Sequence, residues 1–300
     1  MRYFVPSGSI NKIILESLPA DKFNEYATLE ECYKGFYRLS SARETLNSGE
    51  FKFKDIALFG GLDYEEYCGW ESKQRGYCVN EADGGVAILH PWGNLAMTSL
   101  EVNHISVLLE GHGKSGTPLK YMGKDGTAEQ FLSLSESQPT IIHVATHGFF
   151  ETPDTAAHIP AFTGKYRQMD LCGLVMSKGN LGWLYEENKG KGILSATDIS
   201  HMDLGNTELV VLSACNTGDG KIHAAEIYGL QRGFKKAGAH TLVMSLWNEY
   251  DHTGYKFMAS FYHLLAQNGF NIRKAFYGAK KEIRETYPDP AYWAGFILID

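Results

Sequence analysis

A chain of 300 residues is about twice the usual domain length, so one large or two packed domains are expected. Apolar residues at 44% and charged residues at 21% match ordinary globular usage, which excludes wholesale disorder. A net charge of -7 argues against a phosphate-backbone binder, so nucleic acid is not an expected ligand.

No apolar stretch reaches the roughly 18 uncharged residues of a membrane span, and MRYFVPSGSI at the amino terminus lacks the order of a signal peptide. A cytoplasmic protein that does not enter membranes is expected. The 5 cysteines, Cys32, Cys68, Cys78, Cys172 and Cys215, are an odd, dispersed set that suits a reducing compartment and leaves at least one thiol free.

In chain order, apolar runs predict strands at 55–60 (DIALFG), 140–146 (TIIHVAT), 208–214 (ELVVLSA), 240–246 (HTLVMSL) and 294–299 (AGFILI). Most are nearly continuous, as in strands buried on both faces of a largely parallel sheet. Helical patterns alternate with them at 98–111, 127–137, 223–237, 253–267 and 272–286, with Thr98, Thr127 and Asn271 as capping residues. This order predicts an α/β sandwich with right-handed crossovers, helices on both faces and a ligand site at the carboxyl ends of the strands. Residues 151–192 break the rhythm with Gly, Pro and Lys around one apolar patch, LCGLVM at 171–176, and read as a long lid, binding or processing loop. Residues 1–137 carry no comparable Cys/His pair, which predicts an N-terminal lobe packed on a catalytic lobe over 138–300, with the boundary near Gln138–Pro139.

Two strands run directly into polar strings, 140–146 into THG and 208–214 into CNTG. Cys215 taken alone reads as a small buried apolar residue. At the end of a buried strand, on a turn containing Gly218 and Gly220, it reads instead as a thiol presented to a cleft. His147 ends its own strand, and an imidazole suits the acceptance of a thiol proton near neutrality. If the two strands are neighbours, sulfur and imidazole meet. The backbone N–H groups of Gly148 and Cys215 are then the natural donors to the oxyanion.

The strings ALFGGLDY at 57–64, GKDGTAEQFLSL at 123–134, IIHVATHGFF at 141–150, ELVVLSACNTGDG at 208–220, IYGLQRGFKKAGAHTLVMSLW at 227–247 and YWAGFILID at 292–300 together resemble the CHAT family. These are caspase-like cysteine peptidase domains of clan CD, related to separases and caspases and often joined to tetratricopeptide repeats. The resemblance implies a caspase-like α/β/α sandwich with a mostly parallel sheet. It implies a dyad of His147 as general base and acid and Cys215 as nucleophile, no metal and no cofactor, a protein or peptide substrate, and a tetratricopeptide-repeat or other activating partner. In related separase-like enzymes an acidic residue after an LW string lines the pocket for the side chain preceding the cut. Asp251, in LWNEYD, matches it and would select Arg or Lys; it reads equally well as the N-cap of helix 253–267. The chain departs from related patterns where metacaspases carry Asp two residues before the nucleophile, since Ser213 stands there. Ala225 and Glu226 replace the usual Glu-Gly before the following helix.

Other constellations are weaker. His143 and His147, four apart on one predicted strand, would share a face but lack a third metal ligand, so His143 reads as a satisfied core residue. Cys68, Cys78 and His90 lack a close-spaced pair, and NKGKG and GKDG lack the spacing of phosphate loops. Phe257, Phe261, Tyr262, Trp247 and Trp293 fall in core patterns. The basic residues Lys165, Arg167, Lys189 and Lys191 make 151–192 a candidate for self-cleavage. Two alternatives stand beside the active peptidase: a catalytically silent caspase-like interaction module, and an enzyme latent until a partner rearranges the lid.

Overall fold

The computed structural model describes residues 2–5, 14–21, 24–33, 36–39, 52–64, 78–82, 85–89, 92–113, 117–162, 164, 166–213, 224–245 and 251–300. Among them an eight-stranded sheet has the spatial order Arg2–Phe4, Phe36–Arg38, Phe296–Ile299, Thr241–Ser245, Leu209–Leu212, Ile141–Val144, Ile56–Leu62, Leu119–Gly123. Every pairing is parallel except that of Thr241–Ser245 with Phe296–Ile299, where strand direction reverses. The sheet takes strands from both sides of Gln138–Pro139.

The continuous apolar runs follow from burial on both faces. Along the central strands Ile142, Val144, Val210, Leu212, Leu242 and Met244 enter one core, with Phe131 and Phe234 from the helices Ala128–Leu132 and Ala224–Ala237. The alternate residues Ile141, Leu209, Val211 and Val243 enter a second core against the helices Ala96–Leu109, Asp251–Gln267 and Ile272–Thr286. The predicted α/β/α layering and all five predicted strands are present. Phe257, Phe261, Tyr262 and Trp293 are core residues as expected, whereas Trp247 lies outside the described residues. Among the described residues, no helix is long and apolar enough to cross a membrane.

Two caps match expectation: Thr127 accepts from the Gln130 N–H and Asn271 from the Lys274 N–H. Thr98 does not cap its helix, which starts at Ala96. Its hydroxyl instead donates to the Leu95 carbonyl and accepts from the Gly61 N–H, tying the helix to the strand beside it.

The segment predicted as a loop, 151–192, is folded. Its apolar patch forms the strand Cys172–Val175, the middle of a three-stranded antiparallel sheet between His147–Phe150 and Ile193–Ser195. Gly173 is needed there, because a Cβ would sit 2.2 Å from the Leu194 carbonyl oxygen and 2.8 Å from the Phe149 ring. A short strand paired at a distance in sequence gives little periodic signal, and the surrounding Gly and Lys mask it.

His143 and His147 do not share a strand or a face. The strand of His143 ends at Val144 and a new one begins at His147. His143, fully buried, points into the second core, with Nε2 2.8 Å from Glu101 Oε1 and Nδ1 3.1 Å from the Tyr262 hydroxyl. Burial, and then the Glu101 charge, push the Tyr262 phenol well above its ordinary range. Glu101→Ala removes one member of a buried polar set and is expected to cost about 3 kcal/mol of unfolding free energy, read as a lower urea midpoint with unchanged m-value.

Candidate active site

His147 occupies the first position of its strand, beyond a two-residue link, Ala145–Thr146, from the main sheet. Ala145 N–H still donates to the Phe59 carbonyl at 2.8 Å, so the link leaves the sheet in a fixed direction. The Thr146 hydroxyl, fully buried, then donates to the Val175 carbonyl and joins the two sheets.

The imidazole is only 3% exposed. Its Nε2 lies 2.7 Å from the Gly93 carbonyl oxygen. A carbonyl can only accept, so Nε2 carries the hydrogen and Nδ1 is the basic nitrogen of the neutral ring. Two aromatic rings stand against the imidazole, Tyr64 at 4.9 Å and Trp92 at 5.1 Å between centroids. Trp183 meets Trp92 edge-on at 5.2 Å and extends the aromatic cluster into the 151–192 segment.

Tyr64 follows the strand Ile56–Leu62, within the GLDY string. Its hydroxyl lies 2.8 Å from Thr146 Oγ1, whose hydrogen is committed to Val175, so the phenol donates. Burial pushes the phenol up to about 12, opposed by its hydrogen bonds with Thr146 and the His147 backbone.

The structure places the proposed residues unevenly. His147 and Gly148 lie on the strand just described, with Gly148 opposite Leu174. Cys215 lies outside the described residues, although its strand is described through Leu212 and Ser213. Asp251 is the first residue of the helix Asp251–Gln267, and its side chain lies outside what is described. Leu209–Leu212 is the immediate parallel neighbour of Ile141–Val144, as expected, with Leu212 opposite Val144. Arg167, Lys189 and Lys191 are exposed, while Lys165 lies outside the described residues. Tyr64, Trp92, Gly93 and Thr146 escaped the sequence reading. Tyr64 and Thr146 had a signal, their places in the GLDY and THG strings.

A mostly parallel sheet with helices on both faces and a small antiparallel sheet at its strand ends defines an α/β/α sandwich class of protein. The CHAT domain family profile matches residues 4–300, and the chain belongs to that family. The chain is 32% identical over 109 residues to Tetratricopeptide repeat protein 28 of Homo sapiens and 31% identical over 109 residues to that of Mus musculus. Those matches involve 36% of this chain and 4% of the relatives, so it spans a small fraction of their length. Among solved structures, the Arg-specific cysteine proteinase gingipain R aligns with a TM-score of 0.47 at 11% identity, over 88% of this chain and 53% of that one. The complex of RgpB pro- and mature domains from Porphyromonas gingivalis aligns at 0.46 and 10% identity, over 88% and 54%.

The raised Tyr64 phenol gives the site an alkaline signature. With an unfolded value near 10 and a folded value of about 12, the neutral phenol contributes stability that is whole below pH ~10 and is lost as pH climbs through ~12. Between those limits the wild type is expected to lose about 2 kcal/mol more than Tyr64→Phe, measured by denaturant unfolding at stepped pH.

Proposed function

We propose that the chain is a cysteine endopeptidase acting through His147 and Cys215. The observation that carries this reading is the register of the two central strands. Val144 and Leu212 are opposite one another, and Ser213 N–H donates to the Val144 carbonyl at 2.9 Å. His147 and Cys215 each stand third in sequence after those paired residues. Parallel strands of equal reach deliver their continuations to one sheet edge, where open α/β sheets carry their sites.

In this mechanism the Cys215 thiol gives its proton to His147 Nδ1 while Nε2–H stays on the Gly93 carbonyl. The thiolate attacks the peptide carbonyl, and the imidazolium returns the proton to the departing amine. Water then cleaves the thioester, releasing the acid and restoring the thiol. Gly148 and Cys215 N–H groups receive the oxyanion. Glu151 N–H donates to the Leu171 carbonyl at 2.7 Å, which makes the Phe149/Gly173 pair a bonded one by antiparallel alternation and turns the Gly148 N–H out of the ladder. Asp251 supplies the carboxylate that selects Arg or Lys before the cut. Activation by a tetratricopeptide-repeat partner belongs to the same reading and draws on the likeness to Tetratricopeptide repeat protein 28.

That likeness also favours a second reading, a caspase-like interaction module without turnover. A thiol-directed peptide probe separates the two. In the peptidase it labels Cys215, and labelling vanishes in Cys215→Ala and drops sharply in His147→Ala. Either substitution is expected to lower cleavage of a peptide library by roughly 10⁴-fold or more while the protein stays folded. Normal turnover in either variant would falsify the dyad. Asp251→Ala is expected to abolish a preference for Arg or Lys in that library, and an indifferent wild-type profile removes the pocket assignment.

A further inference from the structure

One side chain outside the proposed dyad is bonded to the residues that surround the imidazole. Asn180 lies on the short helix Gly179–Leu184, between His147 and Cys215 in sequence, and is 4% exposed. Its Oδ1 accepts from the Trp92 N–H at 2.7 Å, and its Nδ2 donates to the Trp92 carbonyl at 3.1 Å. Its own N–H donates to the Tyr64 carbonyl at 3.2 Å. Both ends of one amide are thus committed to the main chain of a single loop residue, the pairing that a neighbouring strand would otherwise provide.

The residues so held are the ones that contact His147. Trp92 and Tyr64 contribute the two rings, and Gly93, bonded directly to Trp92, contributes the carbonyl that accepts from Nε2. A glycine carbonyl in a loop has wide conformational freedom unless an adjacent peptide is pinned. The helix bearing Asn180 is itself tightly seated. Lys178 N–H donates to the Asp63 carbonyl at 2.9 Å, and a Cβ on Gly182 would meet the Lys191 carbonyl oxygen at 2.1 Å. Trp183, three residues after Asn180, meets the same Trp92 edge-on.

We infer that Asn180 is a positioning residue for His147: by clamping the Trp92 main chain it fixes the Gly93 carbonyl, and through it the orientation and protonated nitrogen of the imidazole. The inference rests on the reading of His147 as the catalytic base. An amide is required at this position because the Trp92 peptide offers one donor and one acceptor. A carboxylate meets only the donor, and an apolar side chain meets neither.

The test uses NMR on the intact protein with no substrate present. In the wild type the Trp92 amide, outside helix and strand, is expected to be protected from hydrogen exchange. His147 is expected to give a slowly exchanging, downfield Nε2–H line that is missing from His147→Ala. Asn180→Ala should accelerate Trp92 amide exchange on the order of 10-fold and broaden or erase the Nε2–H line, with amide signals far from the site unchanged. Asn180→Asp keeps the size and the acceptor but loses the donor, and decides the matter if the alanine variant does not fold. Persistence of the Nε2–H line in a folded variant overturns the inference, as does rapid exchange of the Trp92 amide in the wild type. In a cleavage assay, Asn180→Ala should lower kcat about 100-fold at nearly constant KM, and a loss confined to KM counts against it. An unlabelled Cys215 together with a lost Nε2–H line in the variants sinks the peptidase reading and leaves the positioning role standing.

Discussion

The hydrogen bond from His147 Nε2 to the Gly93 carbonyl is the contact on which the site depends. A buried imidazole must satisfy its N–H, and the partner decides which nitrogen keeps its lone pair. Here the partner is a main-chain oxygen with no charge to titrate and no side chain to rotate. The ring's chemistry therefore stays tied to backbone geometry, and everything that shapes the loop at Trp92 acts on the imidazole at one remove. The Tyr64 hydroxyl plays a parallel part from the other direction, joining Thr146 to the His147 backbone where the chain passes from the large sheet to the small one.

That passage explains why the two sheets coexist. The central strands are apolar on both faces and supply rigidity but no polar chemistry of their own. His143, a polar residue in the middle of one of them, is absorbed by Glu101 and Tyr262 in the second core. Chemistry begins only where the sheet ends, and the small antiparallel sheet gives the departing chain a second scaffold within two residues. Polar side chains that would be costly in the core are gathered at this seam, where Thr146, His147, Tyr64 and Asn180 are hydrogen-bonded.

The parallel core was legible because a strand buried on both sides must be apolar throughout, as ELVVLSA and TIIHVAT are. Adjacency of the strands Ile141–Val144 and Leu209–Leu212 was a condition of the reading, since sequential parallel strands are often neighbours, and the pairing meets it. The break after Val144 was not legible, since Ala145 and Thr146 have no feature that forbids a strand. The consequence was a mistaken shared face for the two histidines. Cys172–Val175 was read as a patch in a loop because four residues carry too little periodicity to declare a strand. The partners of His147 were invisible for a different reason. The Gly93 carbonyl and the Trp92 peptide act through the main chain, and every residue has a main chain. Asn180 resembled one more polar residue of a loop.

The reversal of strand direction at one place has a consequence for how the protein is made. Among the described residues, Arg2–Phe4 and Phe36–Arg38 join the large sheet only through Phe296–Ile299, with Ile299 opposite Arg38 and Asp300 N–H donating to its carbonyl. On the ribosome these early strands emerge long before the segment that receives them. During translation they form a two-stranded ribbon with no sheet to join, too small to persist alone. The edge of the strand Thr241–Ser245 in turn stays open from its own synthesis until Phe296–Ile299 is made and closes it.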